Sequence, residues 1–87
     1  MKYYKNPNMD YILADETSMA VFDSDTENTY FFDETGIDIL NILNDPCDLP
    51  TLLDSLCQIY DVNPSDIQKD VEEFLKDVLS KKVVLQI

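Results

Sequence analysis

The chain contains no histidine and only two cysteines, Cys47 and Cys57, among its 87 residues. Zinc sites and activated nucleophiles usually depend on such side chains, as metal ligands or as the neighbouring base. Two cysteines are also too few for a disulfide scaffold. We therefore expect two reduced thiols in the cytosol, no bound metal, no cofactor and no catalytic activity.

Positive charge is scarce as well. Six Lys and Arg residues stand against eighteen Asp and Glu residues, which gives a net charge of −12. A surface of that charge repels phosphate backbones and anionic lipids. The composition excludes nucleic acid and membrane surfaces as partners and favours a cationic or neutral peptide, a basic patch on another protein, or metal cations.

Long hydrophobic runs are absent, since no apolar segment approaches the roughly 20 residues that span a bilayer and no segment reads as a signal peptide. The chain is nevertheless 45% apolar, with five tyrosines and four phenylalanines, which is too hydrophobic for a disordered protein. We expect a cytoplasmic protein with one domain over residues 1–87, in which residues 1–9 form a flexible lead-in.

The most informative segment runs from Asn28 to Leu43, where a strand pattern becomes a helix pattern. Residues 29–32 are the β-branched and aromatic types that suit a half-buried strand. Asp33 then provides a side chain that can cap a helix, and apolar residues follow at helical spacing. A strand that leads directly into a helix in this way is expected to lie beside it in space.

The segments before and after residues 28–43 also show strand and helix patterns. Two short apolar runs, Tyr11–Ala14 and Met19–Phe22, precede the Asn28 strand and predict a three-stranded meander. Asp48 and Asn63 are predicted to cap two further helices, each with a proline in its first turn, and residues 83–87 can add a short strand. The order of three strands and then three helices predicts an α+β fold, a small winged helix-turn-helix with an antiparallel sheet.

Two short patterns resemble chemical motifs without meeting their requirements. Asp23–Glu34 spaces its acids like an EF-hand calcium loop, but Asn28 stands where that loop needs glycine and a strand precedes the segment. Asp54, Ser55 and Leu56 match the triplet around the modified serine of acyl carrier proteins, yet Ser55 falls inside a leucine-rich helix. We interpret the first segment as a solvated turn and Ser55 as a helix surface residue.

The third helix of a DNA-binding winged helix enters the major groove with basic and amide side chains. Here the exposed positions of that helix carry more acids than bases, so contact with phosphates is excluded. A three-stranded sheet still has an unpaired edge, and an edge beside an apolar groove can accept an extended peptide as an added strand. Phe32, Val71 and Leu75 are expected to fill the core at the margin of this groove.

The chain resembles the PqqD-like proteins, which recognise the leader segments of ribosomally made peptide natural products. The resemblance runs from about Tyr11 to the C-terminus. It is carried by the run NTYFFDETGIDILNIL and by the later run QIYDVNPSDIQKDVEEFLKDVLSKKVV. It rests on pattern over length, since neither run is a catalytic signature.

The resemblance implies a non-catalytic domain that binds the leader of a precursor peptide as a strand against the third strand, beside the third helix. The implied edge residues are Asn28, Thr29, Tyr30, Phe31 and Phe32. The implied wall residues are Ile67, Asp70, Val71, Phe74 and Asp77, and the two acids are placed to meet Lys or Arg in the leader.

Family members are fused to their modifying enzyme or free-standing, as in PQQ biosynthesis and many lasso-peptide pathways, and we expect this chain to be free-standing. The implied protein partner is a radical-SAM enzyme, a cyclase or a leader peptidase. We expect a monomer, with a homodimer as the alternative. Outside the resemblance, the sequence leaves open an acidic carrier-type protein or a generic protein-interaction module, and calcium binding ranks below both.

Overall fold

The computed structural model describes all residues from 1 to 87 and contains two small sheets and three helices. Strands β2 (Asp10–Asp15), β3 (Ser18–Asp23) and β4 (Asn28–Phe32) form an antiparallel meander, and β1 (Tyr3–Lys5) pairs with β5 (Val84–Gln86) in a separate two-stranded sheet. This confirms the predicted α+β winged helix fold, with its three-stranded antiparallel sheet followed by three helices. The elements are β1 Tyr3–Lys5, β2 Asp10–Asp15, β3 Ser18–Asp23, β4 Asn28–Phe32, α1 Glu34–Ile42, α2 Leu49–Tyr60, α3 Pro64–Ser80 and β5 Val84–Gln86.

The first residues are not a flexible lead-in, and that part of the prediction is wrong. Tyr3 pairs with Gln86 across the β1–β5 sheet, and the backbones of Tyr3 and Cys47 exchange hydrogen bonds of 2.8 and 2.9 Å. Asn6 is buried, and its side-chain amide donates to the carbonyl of Lys82 at 2.8 Å. The predicted strand at the C-terminus is confirmed. Its partner β1 lies at the other end of the sequence, so local composition could not reveal this pairing.

The register of the meander separates its two faces. Val21 pairs with Tyr30 and Met19 with Phe32, and both β3 residues are buried, so these pairs lie on the inner face. Ala20 pairs with Phe31 on the opposite, outer face. The Phe31 side chain is 80% exposed, and Tyr30 and Phe32 are half-buried. The inner face of β4 therefore packs towards the helices, as expected for Phe32.

The helix starts follow the predicted caps in two cases of three. The carboxylates of Asp33 and Asp48 accept hydrogen bonds from the backbone N–H groups of Gly36 and Thr51, at 3.0 and 2.9 Å. Asn63 occupies the cap position of α3, but its side chain makes no capping hydrogen bond. The backbone carbonyl of Asn63 accepts from the N–H of Asp66 at 3.0 Å instead. Pro64, which has no N–H to satisfy, begins this helix.

The core lies where the inner face of the meander meets the three helices. Leu52 and Leu56 of α2 are fully buried, as are Ile39 and Leu40 of α1. Val71, Leu75 and Val78 supply the buried face of α3, which confirms the predicted stripe and the core positions of Val71 and Leu75. No helix has the length and apolar content needed to cross a membrane.

Candidate functional site: an open strand edge beside a three-helix cavity

Strand β4 has one hydrogen-bonded neighbour and one open edge. β3 pairs with it over the whole range from Asn28 to Phe32, and no strand pairs with its other side. Two side chains of α3 and the turn that follows it approach the inner face of β4, Phe74 near Phe32 and Lys81 near Tyr30. These contacts bring α3 close to the inner face of β4, so an extended peptide that paired with the open edge would lie near α3.

Gly36 permits a close approach between α1, β4 and α3. A Cβ atom at this position would lie 3.1 Å from the Cβ and Cδ1 atoms of Phe32 and 3.4 Å from Cε2 of Phe74. Phe32 and Phe74 themselves meet edge to face, with ring centroids 5.9 Å apart. The one glycine of the chain thus makes room for the aromatic contact that joins the strand to the helix.

A cavity of about 340 Å³ opens next to this contact, between the three helices. Its inner surface is mostly apolar, and its polar lining includes two carboxylates but no basic group. Space of this size and lining suits one large apolar side chain with a cationic group at its mouth. The lining residues are Asp33, Thr35, Gly36, Ile39, Leu56, Tyr60, Ile67, Asp70, Val71 and Phe74.

Tyr60 forms the α2 side of the cavity and is held by α1. Its hydroxyl donates a hydrogen bond to Oδ2 of Asp38. The bond to this carboxylate favours the protonated phenol and raises the pKa of Tyr60 above its ordinary value, with a smaller contribution from burial. The interaction links the end of α2 to α1 and so fixes one wall of the cavity.

The other end of the groove between β4 and α3 contains a lysine that is paired with an acid. Nζ of Lys81 lies 2.8 Å from Oδ2 of Asp77 and 5.3 Å from the centre of the Tyr30 ring. Lys81 thus combines an ion pair with a cation–π contact. The groove therefore has an acidic end at the cavity and a neutralised end at Lys81.

Comparison of the sequence with known protein families shows which family the chain belongs to. The sequence profile described as Coenzyme PQQ synthesis protein D (PqqD) matches residues 18–84, which is most of the chain. The chain belongs to the PqqD family. The resemblance identified from the strand-to-helix block and the third helix is thereby confirmed.

A solved structure shares the fold of this PqqD-family chain. It is described as TbiB1 in complex with the TbiA(beta) leader peptide, and it superposes with a TM-score of 0.83 at 17% sequence identity. The match covers 97% of this chain and 96% of that chain. At that identity the likeness establishes the fold. No curated protein matches the sequence significantly.

The structure brings most of the predicted site residues together. The five residues of β4 form the open edge, and Ile67, Asp70, Val71 and Phe74 line the cavity. Asp77 lies elsewhere on α3, in a shallow depression shared with Glu73, Lys76 and Ser80, and its carboxylate is paired with Lys81. Phe31 belongs to the open edge through its backbone, while its side chain lies on the outer face.

Six lining residues were missed by the sequence analysis, because they come from the two helices that precede α3. They are Asp33, Thr35, Gly36, Ile39, Leu56 and Tyr60. One signal was available, since Gly36 is the only glycine in the chain and stands within the first turn of a predicted helix. A glycine there lowers helix propensity and often marks a close approach.

The remaining motifs take ordinary positions in the fold. Asp23–Glu34 spans the turn between β3 and β4, all of β4 and the start of α1. No group of three or more His, Cys, Asp or Glu side chains is arranged to hold a metal ion. Ser55 lies half-buried in the middle of α2, away from the exposed helix start that a carrier serine requires. Cys47 and Cys57 are free thiols.

Proposed function

We propose that this chain is a non-catalytic adaptor that binds the leader segment of a ribosomally made precursor peptide and presents it to a modifying enzyme or leader peptidase in the cytosol. The leader adds as a strand to β4, alongside α3. The observation that carries the proposal is the open edge of Asn28–Phe32, whose last residue contacts Phe74 in the lining of an apolar cavity. A strand edge provides backbone hydrogen bonds for affinity, and a neighbouring pocket provides selectivity.

Two comparisons support the proposal. Membership of the PqqD family, described as Coenzyme PQQ synthesis protein D, supports a role in the biosynthesis of a peptide natural product. TbiB1, which has the same fold, was solved with the TbiA(beta) leader peptide bound. Transfer of leader binding to this chain is our inference, supported by the open edge and the cavity that it has in the corresponding fold.

The chemistry of the groove describes the peptide that it would select. One large apolar side chain enters the cavity, where Ile39, Leu56 and Val71 surround it. Asp33 and Asp70 at the lining favour a Lys or Arg next to that side chain. An acidic leader residue would be accepted only at the opposite end, near Lys81.

The test uses a fluorescent synthetic peptide that comprises the leader of the precursor encoded beside this chain's gene. We expect saturable binding with a dissociation constant of about 10 µM or tighter, equivalent to roughly 7 kcal/mol. A scrambled leader of the same composition is the control. Absence of binding, or equal binding of the scrambled peptide, would contradict the proposal.

N-methylation of the leader tests the strand geometry separately. Alternate N–H groups of a strand point towards its neighbour, so methyl groups on every second residue of the bound segment should abolish binding. Methyl groups on the intervening residues should be tolerated. Loss of binding without such alternation would exclude an added strand while leaving other modes of peptide binding open.

A further inference from the structure

The outer face of the meander carries an apolar row that no other part of the chain covers. The strand register places Ile12, Ala20 and Phe31 side by side across β2, β3 and β4. Ile12 is 59% exposed and Phe31 is 80% exposed. We call Ile12, Ala20 and Phe31 the outer-face patch. Phe22, half-buried, lies two residues further along β3 on the same face.

The side chains of the patch lie on the opposite face of the sheet from the cavity, although Phe31 shares its backbone with the open edge of the proposed leader site. The helices pack against the inner face, where Val21 is fully buried, and the cavity is lined entirely by residues 33–74. Single exposed apolar residues are common on protein surfaces, but a contiguous row is typical of an interaction surface. We therefore expect the outer-face patch to bind a partner other than the leader.

Charge around the patch identifies the chemistry of that partner. The three strands and two turns from residue 10 to residue 32 carry only acidic charges, at Asp10, Asp15, Glu16, Asp23, Asp25 and Glu27. No Lys or Arg occurs between Lys5 and Lys69. A second copy of this chain would bring two acidic meanders together, which is unfavourable. An apolar surface ringed by Lys and Arg is the complement.

We propose that the outer-face patch docks a basic, apolar-centred surface of the enzyme to which the leader is presented. Phe31 lies on β4, whose open edge is the proposed leader site, so an enzyme seated on the patch would lie alongside the bound leader. Ile12 lies on the far strand of the meander, away from that edge. The surface follows from the fold and charge alone, and the assignment of the enzyme rests on the proposed function.

Two neighbouring residues of β2 provide a matched pair of variants. Ile12 and Leu13 are 59% and 61% exposed, and they point to opposite faces of the sheet because Ile12 pairs with Ala20 and Leu13 with Met19. Ile12→Ser removes the patch side chain, and Leu13→Ser removes an equally exposed side chain from the inner face. Phe31→Ser is the second patch variant. Circular dichroism and thermal melts verify folding of each.

The probe is the purified modifying enzyme or leader peptidase encoded beside this chain's gene, titrated with labelled wild-type chain and with each variant. We expect Ile12→Ser and Phe31→Ser to weaken enzyme binding about tenfold or more, as for central apolar contacts of an interface. Leu13→Ser should change it less than about twofold. Raising salt should weaken binding of the wild type.

Leader affinity, measured in parallel, separates this inference from the proposed function. If the enzyme binds wild type but not Ile12→Ser, and the leader does not bind, the docking surface is supported and the adaptor role is contradicted. Equal losses in Ile12→Ser and Leu13→Ser, or no binding of the enzyme to wild type, would overturn the docking surface. A dimer of the isolated chain that Ile12→Ser dissociates in sedimentation equilibrium would also overturn it, because a second copy would then be the occupant.

Discussion

The rings of Phe32 and Phe74 meet edge to face, with a centroid distance of 5.9 Å and an interplanar angle of 65°. This contact joins the last residue of β4 to the middle of α3. It therefore fixes the distance between the open strand edge and the cavity, the two features on which the proposed leader site depends. Stability and function should be coupled at this point.

A double-mutant cycle measures that coupling. Phe32→Ala and Phe74→Ala should each destabilise the fold, and the double variant should be more stable than the sum of the two losses predicts. We expect a coupling free energy of about 0.5–1.5 kcal/mol, the range for aromatic pairs of this geometry. Urea denaturation provides the values. Strict additivity would show that the two rings do not stabilise each other.

Gly36→Ala is expected to destabilise the protein despite the better helix propensity of alanine. The new methyl group would lie 3.1 Å from Cβ of Phe32, an atom that the strand backbone holds in place. Overpacking of this kind costs about 1–3 kcal/mol, which exceeds the gain of up to about 1 kcal/mol in propensity. We predict a net loss of about 1 kcal/mol in the urea unfolding free energy.

Asn41→Ala is the control for this prediction, because Asn41 is an exposed residue of the same helix. It should raise stability by a few tenths of a kcal/mol, roughly the propensity difference. If Gly36→Ala stabilised the protein as much as Asn41→Ala does, the close packing around Gly36 would be refuted.

Asp70 and Asp77 are predicted to differ in their effect on leader binding. Asp70 lines the cavity, whereas the carboxylate of Asp77 is engaged by Lys81 at 2.8 Å. For a leader with Lys or Arg at the cavity mouth, Asp70→Asn should weaken binding about two- to fivefold, as for an exposed ion pair. Asp77→Asn should have the smaller effect. Fluorescence anisotropy at low and high salt measures both.

High salt should remove most of the difference between wild type and Asp70→Asn, because it screens an exposed pair. A larger loss in Asp77→Asn than in Asp70→Asn would contradict the placement of the basic leader residue at the cavity. The same outcome would indicate that the basic leader residue contacts Asp77, at the Lys81 end of the groove.

Tyr11 forms hydrogen bonds near both ends of the chain. Its ionisation makes the stability of the fold depend on pH in the alkaline range. Its hydroxyl donates to the carbonyl of Asn6 at 2.8 Å and lies 3.1 Å from the carbonyl of Val83. Burial disfavours the phenolate and raises the pKa of Tyr11 from 10.0 to about 12. The folded state therefore favours the protonated form.

Because the pKa of Tyr11 is raised on folding, the stabilisation is complete below pH 10 and declines as the pH rises towards 12. Tyr11→Phe should cost about 1–2 kcal/mol at pH 7, since it leaves two carbonyl groups without this donor. The difference from wild type should shrink above pH 10 in urea titrations. A difference independent of pH would contradict the raised pKa of Tyr11 in the folded state.

Local patterns predicted most of the fold. Alternating and aromatic residues located the meander, and Asp33 and Asp48 located two helix starts through the hydrogen bonds that their side chains can make. The β1 strand was missed because its partner, β5, lies at the other end of the chain. Asn63 occupied the predicted cap position but used its backbone carbonyl rather than its side chain.

The cavity was predictable only on the side that one helix supplies. The spacing of Ile67, Val71 and Phe74 identified a face of α3, and all three residues line the cavity. The opposite walls, from Gly36, Leu56 and Tyr60, depend on how three helices converge, which no single periodic pattern encodes. Asp77 was included as a wall residue implied by the family resemblance, but the Lys81 side chain from the next turn engages it.

Amide hydrogen exchange with and without the leader tests the central claim most directly. We predict that amides of Asn28–Phe32 on the open edge of β4 exchange about tenfold or more slowly when the leader is bound, because they gain backbone partners. Amides of β3, which is paired on both sides in the free protein, should change little. Protection confined to the open edge of β2 or to α2, with no change in β4, would contradict the account.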